Sequence, residues 1–424
     1  MCTLIVSGDI MKGLTYRLTE KTRNKLNSSN FREKHKVSGK CFTRLRCMGF
    51  AAIMALCLNF LRKSLQIEID RYMELTDPEI EKPMTKQAFS KARHKISPDA
   101  FRELFEMTGQ TIIEEDAFGR YNGYRIFAID GTELQLPKSD EISQKFRQTR
   151  GSFSPRARAS TLCDVITGFT VHANIETTEI GERNLAMEHL RYFEQYKQAK
   201  DLIVFDRGYP SKALIKYLED TGFKYLMRLQ TSFSAEIDNS QKSDFYTTIN
   251  GCSVRVIKLV LPTGEIEILI TNLGRKAFKF ADFQALYRLR WGIETKYNTL
   301  KNKLDVEFFS GKTIVTVLQD FYATMFLSNI SASIKTESDE LICEDNAGKD
   351  LKHEYITNEN VLIGKLKDKL IMILLNNDAD KRALLLDRLV MQVSRYRTAI
   401  VPDRYFVRPG TSHKRACCKL KKAL

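Results

Sequence analysis

"YRIFAIDGTELQL" (124–136) is where the chain changes its period. β-branched and aromatic residues crowd it, so it reads as a strand. Asp130 falls late in it, after an apolar run. "RARASTLCDVIT" and "GFTVHANIETT" follow as hairpin partners, with Gly168 at the turn. "ERNLAMEHLRYFEQY" (182–196) has the spacing of an amphipathic helix. "DLIVFDRGY" (201–209) is a short apolar strand that ends in a turn and puts Asp206 at its C-terminal end. "SKALIKYLEDTG" reads as a helix closed by Gly222, and "FKYLMRLQ" (223–230) as another strand. The order predicts an α/β (mixed) protein: a central sheet with helices packed on it.

Outward from this centre the pattern shifts on both sides. Residues 1–115 read as helical. Within "MTKQAFSKARHKISPDAFRELF" (84–105), Ser97-Pro98 separates two helical patterns, and Phe101, Leu104 and Phe105 share a face of the second. Lys86, Lys91, Arg93, His94 and Lys95 make this pair a candidate for lying on DNA; a charged outer face of a small bundle is the plain alternative. On the other side, "CSVRVIKLVLPTGEIEILITNL" alternates around Pro262-Thr263-Gly264-Glu265 and predicts a small all-β insertion. A long helical stretch starts near 280. Residues 331–350 are polar, acidic and weakly periodic and read as a linker; 357–400 read as helical again.

Composition bounds the function. The 424 residues suit two to four domains. A net charge of +15 favours a polyanionic partner, of which nucleic acid is the commonest. Residues 1–46 hold eleven Lys/Arg against three Asp/Glu, and no acidic residue follows Asp403. Such blocks are either solvated tails or arms that track a phosphate backbone. The nine cysteines include no C-x-x-C, which argues against structural zinc and for reduced thiols in a cytoplasmic compartment. The longest apolar run, 48–60, is shorter than the ~20 residues a membrane span requires.

"YRLRWGIETKYNTLK" (287–301) carries the only tryptophan, Trp291. On an ideal helix of ~100° per residue, Tyr287, Arg290, Glu294 and Lys301 fall within about 60° of arc, beside an apolar stripe. A carboxylate among cations on one ridge is either a salt-bridged surface or a place where metal and phosphate meet. Asp130 and Asp206 add to the second reading, because an ionised carboxylate at the end of an apolar strand is costly unless paired or metal-bound. Ligand sites in α/β sheets gather at such strand ends.

"DGT" (130–132), "DRGY" (206–209) and Y-x2-R-x3-E-x6-K, in this order, resemble the DDE transposases of bacterial insertion sequences that carry the Y-R-E-K signature. The likeness runs over about 40–325. It implies an RNase H-like catalytic domain, interrupted by a β insertion, and metal-dependent DNA chemistry. Asp130, Asp206 and Glu294 would be both the catalytic residues and the ligands of Mg2+, with Mn2+ substituting. Tyr287, Arg290 and Lys301 would hold the DNA end. Arg207 and Tyr209 are further candidate DNA or carboxylate contacts, and Trp291 a candidate for stacking on a flipped base. Asp164 and Glu133 match no family ligand and are expected to be structural. Arg156 and Arg158 could reach DNA or sit in a solvated turn.

The implied layout is a basic helical DNA-binding region at 1–115, a catalytic domain at 116–230 resumed at 279–330, a β insertion at 231–278, a linker at 331–355 and a helical region with a basic tail at 356–424. The implied activity is cut-and-paste transposition on double-stranded DNA with inverted-repeat ends, by a homodimer in the DNA complex. An inactive DNA-binding repressor or domesticated derivative on the same scaffold is the alternative.

Overall fold

The structure is a computed structural model that describes residues 13–44, 46–59, 64–76, 83–147, 154–261 and 264–401. The basic tail after Asp403, the Pro262-Thr263 turn and the first part of the basic N-terminal block lie outside the described residues. The described residues divide into two compact units, one drawn from 112–133 and 158–298, the other from 13–111, 134–157 and 299–401.

The first unit is built on a mixed sheet. Its strands are β1 (Arg120–Tyr121), β2 (Tyr124–Gln135), β3 (Arg156–Asp164), β4 (Thr170–Thr177), β5 (Asp201–Phe205), β6 (Lys224–Arg228), β7 (Asp244–Ile249), β8 (Cys252–Val260) and β9 (Ile266–Thr271). They run β4-β3-β2-β5-β6-β9-β8-β7, with β1 beside β2. β2, β5 and β6 are parallel, and β9 pairs antiparallel with β6. The strands at 244–271, expected as a small all-β insertion, continue the central sheet beyond β6. Alternation reports which face of a strand is buried, not which strand it pairs with.

Register between β2 and β5 is fixed by a buried ion pair at their beginnings. Arg125 and Asp201 are register partners, both fully buried, and bonded through two 2.6 Å hydrogen bonds, Nε to Oδ1 and Nη2 to Oδ2. A one-residue slip would strand both charges in the core, at a cost of several kcal/mol. The pairing continues through Ala128 and Val204. Five residues beyond Arg125 and Asp201 stand Asp130 and Asp206. The ion pair at one end of the strands thus sets the level of the two carboxylates at the other.

Strand parity then selects the face. Ile126, Leu202 and Val204 pack in one apolar cluster with Phe283, Leu286 and Tyr287 of the helix Asp282–Arg288. Phe127, of opposite parity, meets Phe193 of the helix Glu182–Glu194 at 4.8 Å between ring centroids. Asp130 shares the parity of Ile126, and Asp206 that of Leu202, so both point to the side of the 282–288 helix.

The second unit is helical apart from the pair β10 (Glu354–Thr357) and β11 (Arg397–Ile400). Its longest element is the helix Ile314–Asn346, 33 residues or about 50 Å. Residues 331–346, read from sequence as linker, are the last half of that helix. Their weak periodicity comes from burial on several sides as far as Ile342, and some of the polar groups along the helix are hydrogen-bonded within the unit. Asn329 Nδ2 donates to Thr108 Oγ1 at 2.9 Å, Thr15 Oγ1 to Ser333 Oγ at 3.0 Å, and Thr357 Oγ1 to Ser338 Oγ at 2.8 Å. In the 84–105 stretch the break holds: Ser97 Oγ accepts from Asp99 N at 3.2 Å, and Phe101, Leu104 and Phe105 are buried together. Arg93 is not available to DNA. It is buried, with Nε on Gln319 Oε1 at 2.6 Å and Nη2 on Asp320 Oδ1 at 2.8 Å.

Candidate active site

Asp130 lies within β2, two residues past its last register pair with β5, and Asp206 directly follows β5; the two parallel strands run about 4.8 Å apart. Each aspartate is half-buried. Asp130 Oδ1 accepts from Gly131 N at 2.9 Å, and its backbone carbonyl accepts from Tyr297 Oη at 2.6 Å and Ser160 Oγ at 3.2 Å. Tyr297 is itself buried and takes a 3.1 Å bond from Thr161 Oγ1. His189 stands behind Ser160, its Nε2 2.9 Å from Oγ. The strand end that presents Asp130 is therefore clamped by side chains from β3 and from the helix Trp291–Asn302.

Burial pushes the Asp130 carboxyl up to about 6; Gly131 N–H and Arg290 oppose the rise, while the charges of Glu182 and Asp206 add to it. Asp206 accepts from Tyr287 Oη at 3.4 Å. Glu294 accepts from Arg290 Nη2 at 2.8 Å and keeps 37% of its side chain exposed. Arg290 links the group. Its charge acts on Asp130 and Asp206, it holds Glu294, and its guanidinium lies 5.7 Å from the Tyr287 ring centroid and 5.9 Å from that of Trp291.

The 287–301 segment is not one continuous helix. Asp282–Arg288 and Trp291–Asn302 are separate, and the junction is closed by i→i+3 bonds, Arg290 N to Tyr287 O at 3.0 Å and Ile293 N to Arg290 O at 3.0 Å. These tighter turns break the ideal angular spacing across Leu289 and Arg290. Gly292 shows what the break serves. A Cβ there would stand 2.5 Å from the Val165 carbonyl oxygen, so only glycine lets the second helix sit against the β3–β4 turn.

The remaining candidates separate. Trp291 is 54% exposed and not a core residue. Arg207 is exposed. Lys301 lies two turns beyond Glu294 near the end of the same helix, in the stretch grouped with the helical unit. Tyr209 is buried at 1% exposure, and burial first, then the charges of Asp130, Glu182 and Asp206, drive its phenol far upward. Its Oη has no hydrogen-bond partner among the described residues, nor has Nε of the buried Arg290. Asp164 caps the β3–β4 turn, accepting from Thr167 N at 2.8 Å, and Glu133 is exposed. Arg158 Nη1 is bonded to Ile180 O at 2.6 Å.

Sequence reasoning missed Glu182. It opens the helix Glu182–Glu194 and lies near the glycines that follow both aspartates, Gly131 in β2 and Gly208 in the turn after β5. A Cβ at Gly131 would lie 3.5 Å from its Oε1, and one at Gly208 3.8 Å from its Oε2. The small residues at 131 and 208 were the available signal: each follows an aspartate closely and leaves room for another group.

Among the described residues no three His, Cys, Asp or Glu side chains are close enough together to hold a metal ion. Carboxylates without a cation between them repel, and Glu294 is engaged with Arg290 instead. The donor set nonetheless fits a hard divalent ion. It offers carboxylate oxygens at a half-buried strand end, where two buried polar atoms, Tyr209 Oη and Arg290 Nε, also lack partners among the described residues.

The mixed sheet covered by helices, with Asp130 and Asp206 on neighbouring parallel strands, has an RNase H-like fold. Residues 121–330 match the transposase DDE domain family. One curated relative is the transposase for insertion sequence element IS1151 of Clostridium perfringens, 27% identical over 208 residues, 46% of this chain and 43% of the relative. The chain thus spans less than half of that relative's length. Among solved structures, the piggyBac transposase synaptic complex with hairpin DNA is similar at TM-score 0.51 and 11% identity, over 88% of this chain and 84% of that one. At that identity the likeness bears on the fold.

Proposed function

We propose that the chain is a DNA transposase that cleaves the ends of an insertion sequence and joins them to target DNA. The observation that supports it most is the placement of Asp130 and Asp206 at one level of adjacent parallel strands, facing the helices that carry Tyr287, Arg290 and Glu294. Asp130, Asp206 and Glu294 would hold Mg2+, or Mn2+ in its place. Bound there, the ions would activate the attacking oxygen and neutralise charge on the scissile phosphate. Glu294 has to leave Arg290 for this, and a phosphate oxygen is the natural replacement partner for the guanidinium, whose Nε has no partner among the described residues. Tyr287 holds Asp206, and the Tyr209 hydroxyl has a proton to donate to a bound oxygen. Water attacks the phosphodiester at the element end, and the freed 3′-OH then attacks target DNA. Double-stranded DNA with inverted-repeat ends is the substrate, brought together by a homodimer at the nucleoid.

The test is nicking of a duplex carrying the chain's own element end in Mg2+. Glu294→Gln should reduce nicking at least 10³-fold and change duplex binding less than threefold. Full nicking by the variant, or binding without any nicking by the wild type, would overturn the assignment; the latter is the behaviour of a repressor.

A further inference from the structure

A cleft of about 1080 Å³ opens in the helical unit, far in sequence from Asp130 and Asp206 and wholly within residues 32–95. Six cations line it, Arg32, Lys40, Arg44, Arg46, Lys91 and Lys95, and no acidic residue among those described does. All but Arg32 are exposed. Among the described residues those five form no ion pair, and Arg32, paired loosely with Glu33 at 3.5 Å, leaves its Nε without a hydrogen bond.

The charges are held together by the fold. The segment after His35 runs antiparallel beside Lys95–Ser97: Val37 N donates to Lys95 O at 2.9 Å, and Ser97 N to His35 O at 2.8 Å. This tie brings the loop with Lys40, Arg44 and Arg46 against the helix Lys86–Arg93, which carries Lys91. Phe42 packs edge-on against Phe50 at 5.4 Å within the same wall, although its φ of 58° is one that non-glycine residues rarely adopt. Arg93, by contrast, two residues before Lys95, is paired with Asp320 at 2.8 Å. Like charges gathered without counter-charges repel one another, and the arrangement is stable only while solvent or a polyanion screens it.

We infer that this cleft seats the phosphate backbone of duplex DNA, with Lys40, Arg44, Lys91 and Lys95 touching the phosphates. The inference rests on the proposed function, which supplies DNA as the polyanion, and assigns to a specific surface a grip on DNA separate from the cleavage site. Positioning by phosphate contacts is independent of base sequence and strongly dependent on salt.

The experiment compares full-length wild type with the quadruple variant Lys40→Ala/Arg44→Ala/Lys91→Ala/Lys95→Ala. Binding to the element-end duplex and to an unrelated duplex is measured from 50 to 300 mM salt, with thermal unfolding as a check on folding. The slope of log K against log [salt] should become shallower by about 3.6 for both duplexes, at ~0.9 for each of four phosphates no longer neutralised. The matching Arg/Lys exchanges at the same four positions should restore it. A variant slope within 0.5 of wild type, with wild type bound, would overturn the cleft assignment and leave the transposase reading standing. Failure of the wild type to bind any duplex would overturn both. Tighter cleft-dependent binding of polyglutamate than of duplex would also overturn it, making the partner an acidic peptide.

Discussion

Tyr209 carries two demands that conflict. Its ring fills the space behind Asp130 and Asp206 at 1% exposure, while its hydroxyl meets no partner among the described residues. A buried polar group without a hydrogen bond costs about 1–3 kcal/mol. Such a cost is tolerable where the group serves a bound ligand. Tyr209→Phe should therefore raise the stability of the ligand-free protein, by about 1 kcal/mol in denaturant unfolding, and lower the nicking rate at least tenfold. Lower stability in the variant would mean that the hydroxyl is satisfied in the folded protein and has no part in the reaction. Arg290 and Glu294 are likewise paired at 2.8 Å, and in the proposed reaction that pair would have to open.

Among the elements, the broken helix at 282–302 matters most. Its first half anchors in the sheet core through Phe283, Leu286 and Tyr287, and its second half approaches the β3–β4 turn at Gly292. The tightened junction at Leu289 and Arg290 lets the two halves dock separately and turns Arg290 toward the carboxylates. Gly292→Ala would force a Cβ to 2.5 Å from the Val165 carbonyl, a backbone atom that cannot rotate away. The expected cost is about 1–3 kcal/mol of stability, with the helix carrying Glu294 displaced. Nicking should fall at least tenfold while duplex binding holds within threefold. Wild-type stability and activity in this variant would show that the helix has room to shift away from the turn.

Across the protein, one buried carboxyl ties stability to pH. Glu337 lies on the 33-residue helix of the second unit, accepting from Thr15 N at 2.9 Å. Burial pushes it up to about 7, against the Thr15 bonds and Arg17, with Glu340 adding to the rise. The folded state therefore binds this proton more tightly than the unfolded chain, whose carboxyl titrates near 4.5. The contribution is fully present below about 4.5 and is lost as pH rises through about 7. Glu337→Gln should flatten the fall in stability between pH 5 and 8, and at pH 8 should exceed wild type by on the order of 2–3 kcal/mol. An unchanged pH slope in the variant would place the titrating group elsewhere.

The pattern along the chain was enough for the central sheet, since strands 124–135, 201–205 and 224–228 announce themselves by composition and length. Asp130 and Asp206 stood out in the sequence because a carboxylate after an apolar run is visible as a local conflict, and the structure puts them on neighbouring parallel strands. The Y-R-E-K spacing picked out Tyr287, Arg290 and Glu294 on similarity to a family. What the pattern could not carry was anything dependent on partners distant along the chain. Residues 331–346 look like linker because a helix buried on several sides has no single apolar stripe to display. Arg93 looks like a surface cation until Gln319 and Asp320 arrive from 226 and 227 residues away. Glu182 looks like an ordinary first helical residue until β2 and β5 bring Gly131 and Gly208 close to its side chain. Periodicity records how each residue meets its own element's environment; which charges are paired, and which carboxylates share a space, is decided by packing between elements far apart in the chain.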